Sequence, residues 1–249
     1  MFDRKKIEKI FDEYVLAYDA SDPKIRLKID HTYRVAGLCE TIATSVGADG
    51  DFSWVCGMLH DVGRFEQIRR YNTFSDAASV DHAELGADLL FRDGLIKRFG
   101  IDLDESSMRT LEKAIRNHSV YRLDAGLTEE ERKYCNILRD ADKVDIFRVN
   151  CDTPLEDIYN VTTKELLASP VSEEVKKCFR DRTAVLRALK SHPADYVVGH
   201  ICLVFELVYP MSREIAKEQG YLEQLLNFSS ENEDTAKWFE YMREHVWEK

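Results

Sequence analysis

Histidines and aspartates repeatedly occupy places on apolar helical stripes in this chain, and that pattern constrains its fold and its chemistry together. His31 is followed by Val35, Leu38 and Ile42, and His82 by Leu85, Gly86, Leu89 and Leu90, all at helical spacing. Leu111, Ala114 and Ile115 lead to His118 in the same phase. Asp142 follows Cys135 and Leu138 where an aliphatic side chain is expected. His60 and Asp61 end the apolar run from Trp54 to Leu59, and Gly63 reads as a helix stop. Helical periodicity therefore turns four imidazoles and two carboxylates toward one core.

Period-two alternation is hard to find for more than a few residues, so the expected fold class is all-α. Prolines stand at 23, 154, 170, 193 and 210, near helix boundaries, and none interrupts residues 24–153, the expected catalytic core. Residues 1–23 supply an amphipathic helix, with Ile7, Ile10, Phe11, Tyr14 and Val15 on the face that would pack on that core. Helices are expected around 154–168, 171–190, 194–208 and 211–226, with a last short one through Trp238, Phe239 and Met242. No Gly/Ser-rich linker separates them from the core, so residues 154–249 read as a helical extension of the same domain. The 249 residues, 44% apolar and 33% charged, are enough for one large domain with a substantial core.

The 46 acidic residues outweigh 35 basic ones, and the net charge of -11 provides no footprint for bulk nucleic acid. A small phosphorylated ligand stays open, because a metal cluster overrides the surface charge locally. The six cysteines are scattered, form no C-x-x-C pair and sit beside apolar residues, as buried free thiols of a reducing cytoplasm would. The first residues are charged and lack the apolar core of a secretory signal. The longest apolar run, Tyr196 to Phe205, carries His200 and falls short of the roughly 20 residues that span a bilayer, so no membrane segment is expected.

One inward histidine reads more readily as a hydrogen-bonded core residue than as a ligand, and a His-Asp dipeptide arises from composition alone. Four imidazoles and two carboxylates in one helical core are different, because they would leave several buried polar groups with few partners. A bound cation removes that cost. Imidazole and carboxylate without thiolate suit iron or manganese, and also nickel, cobalt or zinc, in a catalytic site. The economical partition gives His31, His60, Asp61 and Asp142 to one divalent ion and Asp61, His82 and His118 to a second, with Asp61 bridging.

The segments HTYRV at 31–35, LHDVGR at 59–64, DHAELGA at 81–87, NHS at 117–119 and RDADKVD at 139–145 resemble, in order and spacing, the successive motifs of the HD superfamily. The resemblance covers residues 28 to 147 and implies an HD-domain helical bundle with additional C-terminal helices. It also implies two metal ions, since members with the two extra histidines bind two. Phosphatases, cyclic-dinucleotide phosphodiesterases and dinucleoside-polyphosphate hydrolases belong to that subset, as do mixed-valent diiron oxygenases. The family's second histidine after the His118 position and its GYP signature are absent, which argues against a third metal and a bis-guanylate phosphodiesterase.

The resemblance places a cation three residues after the doublet's Asp in contact with substrate phosphate, and Arg64 stands there. Its other reading is a surface pair with a carboxylate such as Glu66. Lys143 beside Asp142 would neutralise phosphate, or else is a solvated helix lysine. Arg69, Arg70 and Tyr71 lie in a stretch between Gly63 and His82 that reads as a substrate-facing loop or lid, or as a plain exposed connection. Glu84 reads as a solvated charge, and His192, His200 and His245 as structural or surface residues. The expected activity is hydrolysis of a phosphate ester or anhydride of a small metabolite or nucleotide by a metal-bridging hydroxide. The alternatives are the diiron oxygenase and a regulatory module that keeps the fold, the latter disfavoured because all six ligands are present.

Overall fold

Aspartates begin most helices of the first half of the chain. In a computed structural model, which describes residues 2–19 and 21–248, α1 (Arg4–Val15), α2 (Pro23–Ser45) and α3 (Gly50–Leu59) start at Asp3, Asp22 and Asp49. Asp81 and Asp104 cap α5 (His82–Ala87) and α7 (Glu105–Asn117) in the same way. Each of these carboxylates accepts a backbone N–H of the first turn, filling acceptor needs that a helix start leaves open. Asp61, at the start of α4 (Val62–Tyr71), makes no such bond. Its carboxylate is engaged elsewhere.

The described residues form helices and turns with no strand, as periodicity predicts. They divide into two compact units, Met1–Asp142 and Lys143–Lys249. In the first, α2 packs on α3 and α4, α5 on α4 and α7, and α3 on α7. The remaining elements are α6 (Leu95–Arg98) and α8 (Glu129–Asp152), which runs on into the second unit. Two crossings need glycine. A Cβ on Gly57 would lie 2.5 Å from the Ala36 Cα, and one on Gly63 would lie 2.2 Å from the His82 carbonyl oxygen and 2.6 Å from the Gly86 nitrogen. These backbones approach closely because there is no side chain between them.

Gly63 therefore does not stop a helix. It lies inside α4, and the expected loop or lid from Gly63 to His82 is helical through Tyr71, where Asn72 adopts a left-handed conformation, φ 52°. Phe65 and Ile68 are buried one turn apart on α4, a helical signal that the glycine masked. Only residues 72–81 form a loop, with one 3-10 turn at Asp76–Ala78. Helix α1 rests on its neighbours through Phe11, edge-on to Tyr33 and Phe65, and through Tyr14, whose hydroxyl donates to the Val62 carbonyl at 3.0 Å.

The second unit holds shorter helices than periodicity predicts: α9 (Leu155–Tyr159), α10 (Thr163–Leu167), α11 (Glu173–Arg180), α12 (Pro193–Ile201), α13 (Pro210–Gln219), α14 (Tyr221–Leu226) and α15 (Glu233–His245). Left-handed residues make the breaks: Asn160, Arg182 and Gly220, at φ 54°, 55° and 70°. Arg182 is held there by donating to the carbonyls of His245 and Val246. His200 shares a buried network in which its Nδ1 lies 2.8 Å from the Tyr159 hydroxyl, itself a donor to Asn150. His192 is an exposed helix-start residue, and His245 stacks on Tyr241. All six cysteines are free, and Cys39, Cys56, Cys135 and Cys202 are buried. No helix among the described residues is long and apolar enough to cross a membrane.

Gly63 and Gly37, both in the first unit, predict opposite substitution effects. Gly63→Ala must move two backbones and is expected to destabilise by about 3 kcal/mol or more. Gly37→Ala, on an exposed helical position with open space around it, is expected to be neutral or stabilising by about 0.5–1 kcal/mol. Thermal melts of the two variants check this, and equal melting temperatures would refute the close-packed crossing.

Candidate metal centre

The doublet sits in the two-residue joint between α3 and α4. His60 ends α3 in helical geometry, and Asp61, at φ -106° and ψ 15°, turns the chain into α4. This joint points both side chains toward His31 on α2. The close crossings described above deliver the rest: Gly57 against Ala36 brings α3 to α2, and Gly63 against His82 and Gly86 brings α5 to the joint. His118 arrives as the C-cap of α7, and Asp142 from the middle of α8. All six expected ligands converge. His31, His60, Asp61, His82 and His118 are buried, while Asp142 is 15% exposed.

The two oxygens of Asp61 face two different groups. Its Oδ2 lies 3.7 Å from His31 Nε2 and 3.6 Å from His60 Nε2. Asp142 Oδ1 completes that side, 3.2 Å from His31 Nε2 and 3.9 Å from His60 Nε2. The Asp61 Oδ1 lies 3.5 Å from His82 Nε2 and 3.7 Å from His118 Nε2. Donors sharing one ion at bonds of about 2.0–2.2 Å stand about 3–3.5 Å apart, close to these separations.

The imidazoles are oriented by their far nitrogens. His60 Nδ1 lies 2.7 Å from the Gly57 carbonyl, His118 Nδ1 2.7 Å from the Ile115 carbonyl, and His82 Nδ1 2.8 Å from Asp76 Oδ2. Each partner is an acceptor, so each Nδ1 carries the proton and each Nε2 offers a bare lone pair. Yet His82 Nε2 and His118 Nε2 are 2.9 Å apart, and His60 Nε2 and His31 Nε2 3.3 Å apart. Across the His82–His118 gap lone pairs face one another, an arrangement that a cation relieves. Burial pushes the His60 imidazole down to about 3 and, with Arg64 nearby, the His82 imidazole down to about 4, keeping both neutral as ligands must be. Burial alone would raise the Asp61 carboxyl; Lys28 and His60 instead hold it well below the ordinary range.

Residues with no apolar-stripe signature complete the surroundings. Lys28 Nζ donates to Asp61 Oδ2 at 2.7 Å; it lies one helical turn before His31, a spacing that the sequence reading passed over. Asp76, on the loop, accepts from His82, from Gln67 Nε2 at 2.9 Å and from Arg64. The Arg139 guanidinium donates to the carbonyls of Asn117, His118 and Val120, holding the chain where it leaves α7. Glu84 is ion-paired with Arg116, which also binds Asp88 and Glu112, and so ties α5 to α7.

Of the expected substrate contacts, Arg64 borders Asp61. Its Nη1 donates to Gln67 Oε1, the Phe74 carbonyl and Asp76 Oδ1 at 2.7–2.8 Å, and its Nε, buried without a hydrogen-bond partner, lies 3.7 Å from Asp61 Oδ1. It does not pair with Glu66. That carboxylate instead receives Arg69 and Arg70, together with the Tyr18 hydroxyl. Tyr71 is 44% exposed at the end of α4, and Lys143 is buried rather than solvated.

The depressed imidazoles fix how the protein stripped of metal responds to acid. The unfolded chain takes up protons near the ordinary histidine value of about 6.5, whereas His60 and His82 resist until about 3 and about 4. Stability is therefore full above about 6.5 and declines as pH falls toward 4. Melts of chelated protein between pH 7.5 and 4.5 check this; a flat melting temperature would show that the imidazoles protonate freely inside the fold.

The HD domain family matches residues 29–146. No curated protein and no solved structure matches the chain. The matched span contains every one of the six converging residues, and its helical architecture is that of the first unit. Residues 29–146 are thus an HD domain, a helical metal-binding fold whose family members are generally metal-dependent hydrolases.

Proposed function

We propose that this protein is a dinuclear metal-dependent phosphohydrolase acting on a phosphate ester or anhydride of a small metabolite or nucleotide. The observation that carries this reading is the division of one buried carboxylate between two sets of donors, His31, His60 and Asp142 about one oxygen and His82 and His118 about the other. Asp61 would bridge the two ions, with iron or manganese the best match to the donors and nickel, cobalt or zinc compatible with them. When bound, the ions supply Lewis acidity at a phosphoryl oxygen and a water acidic enough to deprotonate near neutral pH.

The chain's own groups then have distinct tasks. Asp61 and Asp142 balance positive charge, and the His60 and His82 imidazoles stay neutral. Arg64 keeps its Nη1 on the loop and offers its unpartnered Nε–H toward the centre, where a phosphate oxygen is the matching acceptor. Hydrolysis adds the oxygen of water to phosphorus, breaks the bond to the leaving oxygen and returns a proton to that oxygen. The acidic surface disfavours a polyanionic nucleic acid and leaves a small anion, drawn by the local field, as the partner.

Reconstitution with manganese or with ferrous iron, metal analysis, and a phosphatase and nucleotide panel run with and without oxygen test the proposal. Wild type is expected to hold two ions and release phosphate independently of oxygen. His118→Ala is expected to lose one ion, and Asp61→Ala both ions with all activity. Arg64→Ala should lower kcat/KM by roughly 10²-fold and also cost about 1–3 kcal/mol of stability, because three acceptors lose their donor. Two ions retained by Asp61→Ala would remove the bridge. Oxygen uptake coupled to turnover, with no phosphate released, would replace hydrolysis by the diiron oxygenase reading.

A further inference from the structure

Around the centre, solvent reaches Asp76, at 31% side-chain exposure, and Lys28, Arg64 and Asp142, at 16%, 15% and 15%, while the imidazoles and Asp61 are closed off. A molecule entering therefore meets two cations that flank the buried Asp61, with the carboxylates of Asp76 and Asp142 beside them. Lys28 stands on Asp61 Oδ2 and Arg64 beside Asp61 Oδ1. Both also lie against the Phe74 ring, Lys28 Nζ at 5.8 Å and Arg64 Cζ at 5.7 Å from its centroid.

The two cations differ in how they are answered. Arg64 Nη1 donates to three acceptors, one of them the Asp76 carboxylate at 2.8 Å, so its charge is largely neutralised within the protein. Among the described residues Lys28 is answered by Asp61 alone, and Asp61 is the carboxylate that the phosphohydrolase reading assigns to two divalent ions. Two divalent ions against Asp61 and Asp142 leave a positive surplus, and the Lys28 ammonium adds to it. An ammonium with three donors on a flexible stem can keep one proton on Asp61 and turn the others outward.

We propose, resting on the phosphohydrolase reading, that Lys28 is a specificity-determining residue that selects a phosphate dianion, a monoester or the terminal phosphate of a chain, over a monoanionic diester. Its ammonium receives the second negative charge, while the Arg64 Nε–H takes a neighbouring oxygen. A phosphodiester has no such charge to place there. The same argument disfavours an uncharged polyol as the natural ligand.

The test compares wild type, Lys28→Met and Lys28→Arg as metal-loaded full-length protein. The probes are p-nitrophenyl phosphate, bis(p-nitrophenyl) phosphate and inorganic phosphate, with metal content measured alongside. In Lys28→Met, kcat/KM for the monoester and affinity for inorganic phosphate by calorimetry are expected to fall roughly 10- to 100-fold, the loss of one charged hydrogen bond. The diester should change by less than about 3-fold, ion content should be unchanged, and Lys28→Arg should recover part of the loss. The phosphate arm keeps the test independent of whether the diester is accepted. An equal loss on both esters, or loss of bound metal, would make Lys28 a counter-charge for Asp61 and overturn the proposal, as would unchanged phosphate affinity. Wild type that hydrolyses neither ester and binds no phosphate would instead overturn the phosphohydrolase reading itself, and the Lys28 assignment with it.

Discussion

A carboxylate with 2% exposure, set in the joint between two helices, is the constraint that organises this fold. Moving such an ion out of water costs several kcal/mol unless charge and hydrogen bonds answer it. Asp61 is answered by Lys28 on one oxygen and bordered by four imidazoles, two on each side. Helix packing has to be unusually close for that to happen. It is close because Gly57 and Gly63 remove the side chains that would hold α3 from α2 and α4 from α5. The missing helix cap at Asp61 follows from the same demand, since one carboxylate cannot serve both the α4 amides and the centre.

Sequence periodicity made the converging histidines and aspartates legible because helical phase is local. Placing His31, His82, His118 and Asp142 on apolar stripes needs only the chain within about three turns of each residue. The whole set also made an all-α fold and a common core readable. The failures share the opposite property. Gly63 looks like a helix stop within its own segment, and only the backbone of α5 across from it explains why a glycine interrupts no helix there. Lys28 shares the His31 face by spacing, but its flexible stem finds Asp61 only once α2 and the joint are assembled. Asp76 lies on a loop with no period to read.

The arginines following the doublet show how far composition can mislead. Arg64, Arg69 and Arg70 fall within seven residues, and as a loop they would form one basic patch. As a helix they separate by angle. Arg64 turns to the loop and Asp61, whereas Arg69 and Arg70 close on Glu66, a carboxylate with 4% side-chain exposure beneath Tyr18. Their charges are answered within α4, and the Arg69 guanidinium lies over the Tyr18 ring in the turn after α1. The helix therefore splits a run of like charges into one group at the centre and two that secure its support.

Asp76 links the remaining parts. One of its oxygens accepts from Arg64 and Gln67, the other from His82 Nδ1. A carboxylate behind an imidazole fixes its tautomer and makes the opposite nitrogen a stronger donor to metal. The loop carrying Asp76 is itself held by the Arg64 bond to the Phe74 carbonyl and the Gln67 bond to the Val80 carbonyl. Loop position, Arg64 orientation and His82 basicity consequently change together. If the loop moved outward, His82 would lose its orienting acceptor at the same moment that Arg64 lost its neutralising partner, so on the phosphohydrolase reading proposed above a single side chain would couple metal affinity on the Oδ1 side to anion affinity at the mouth.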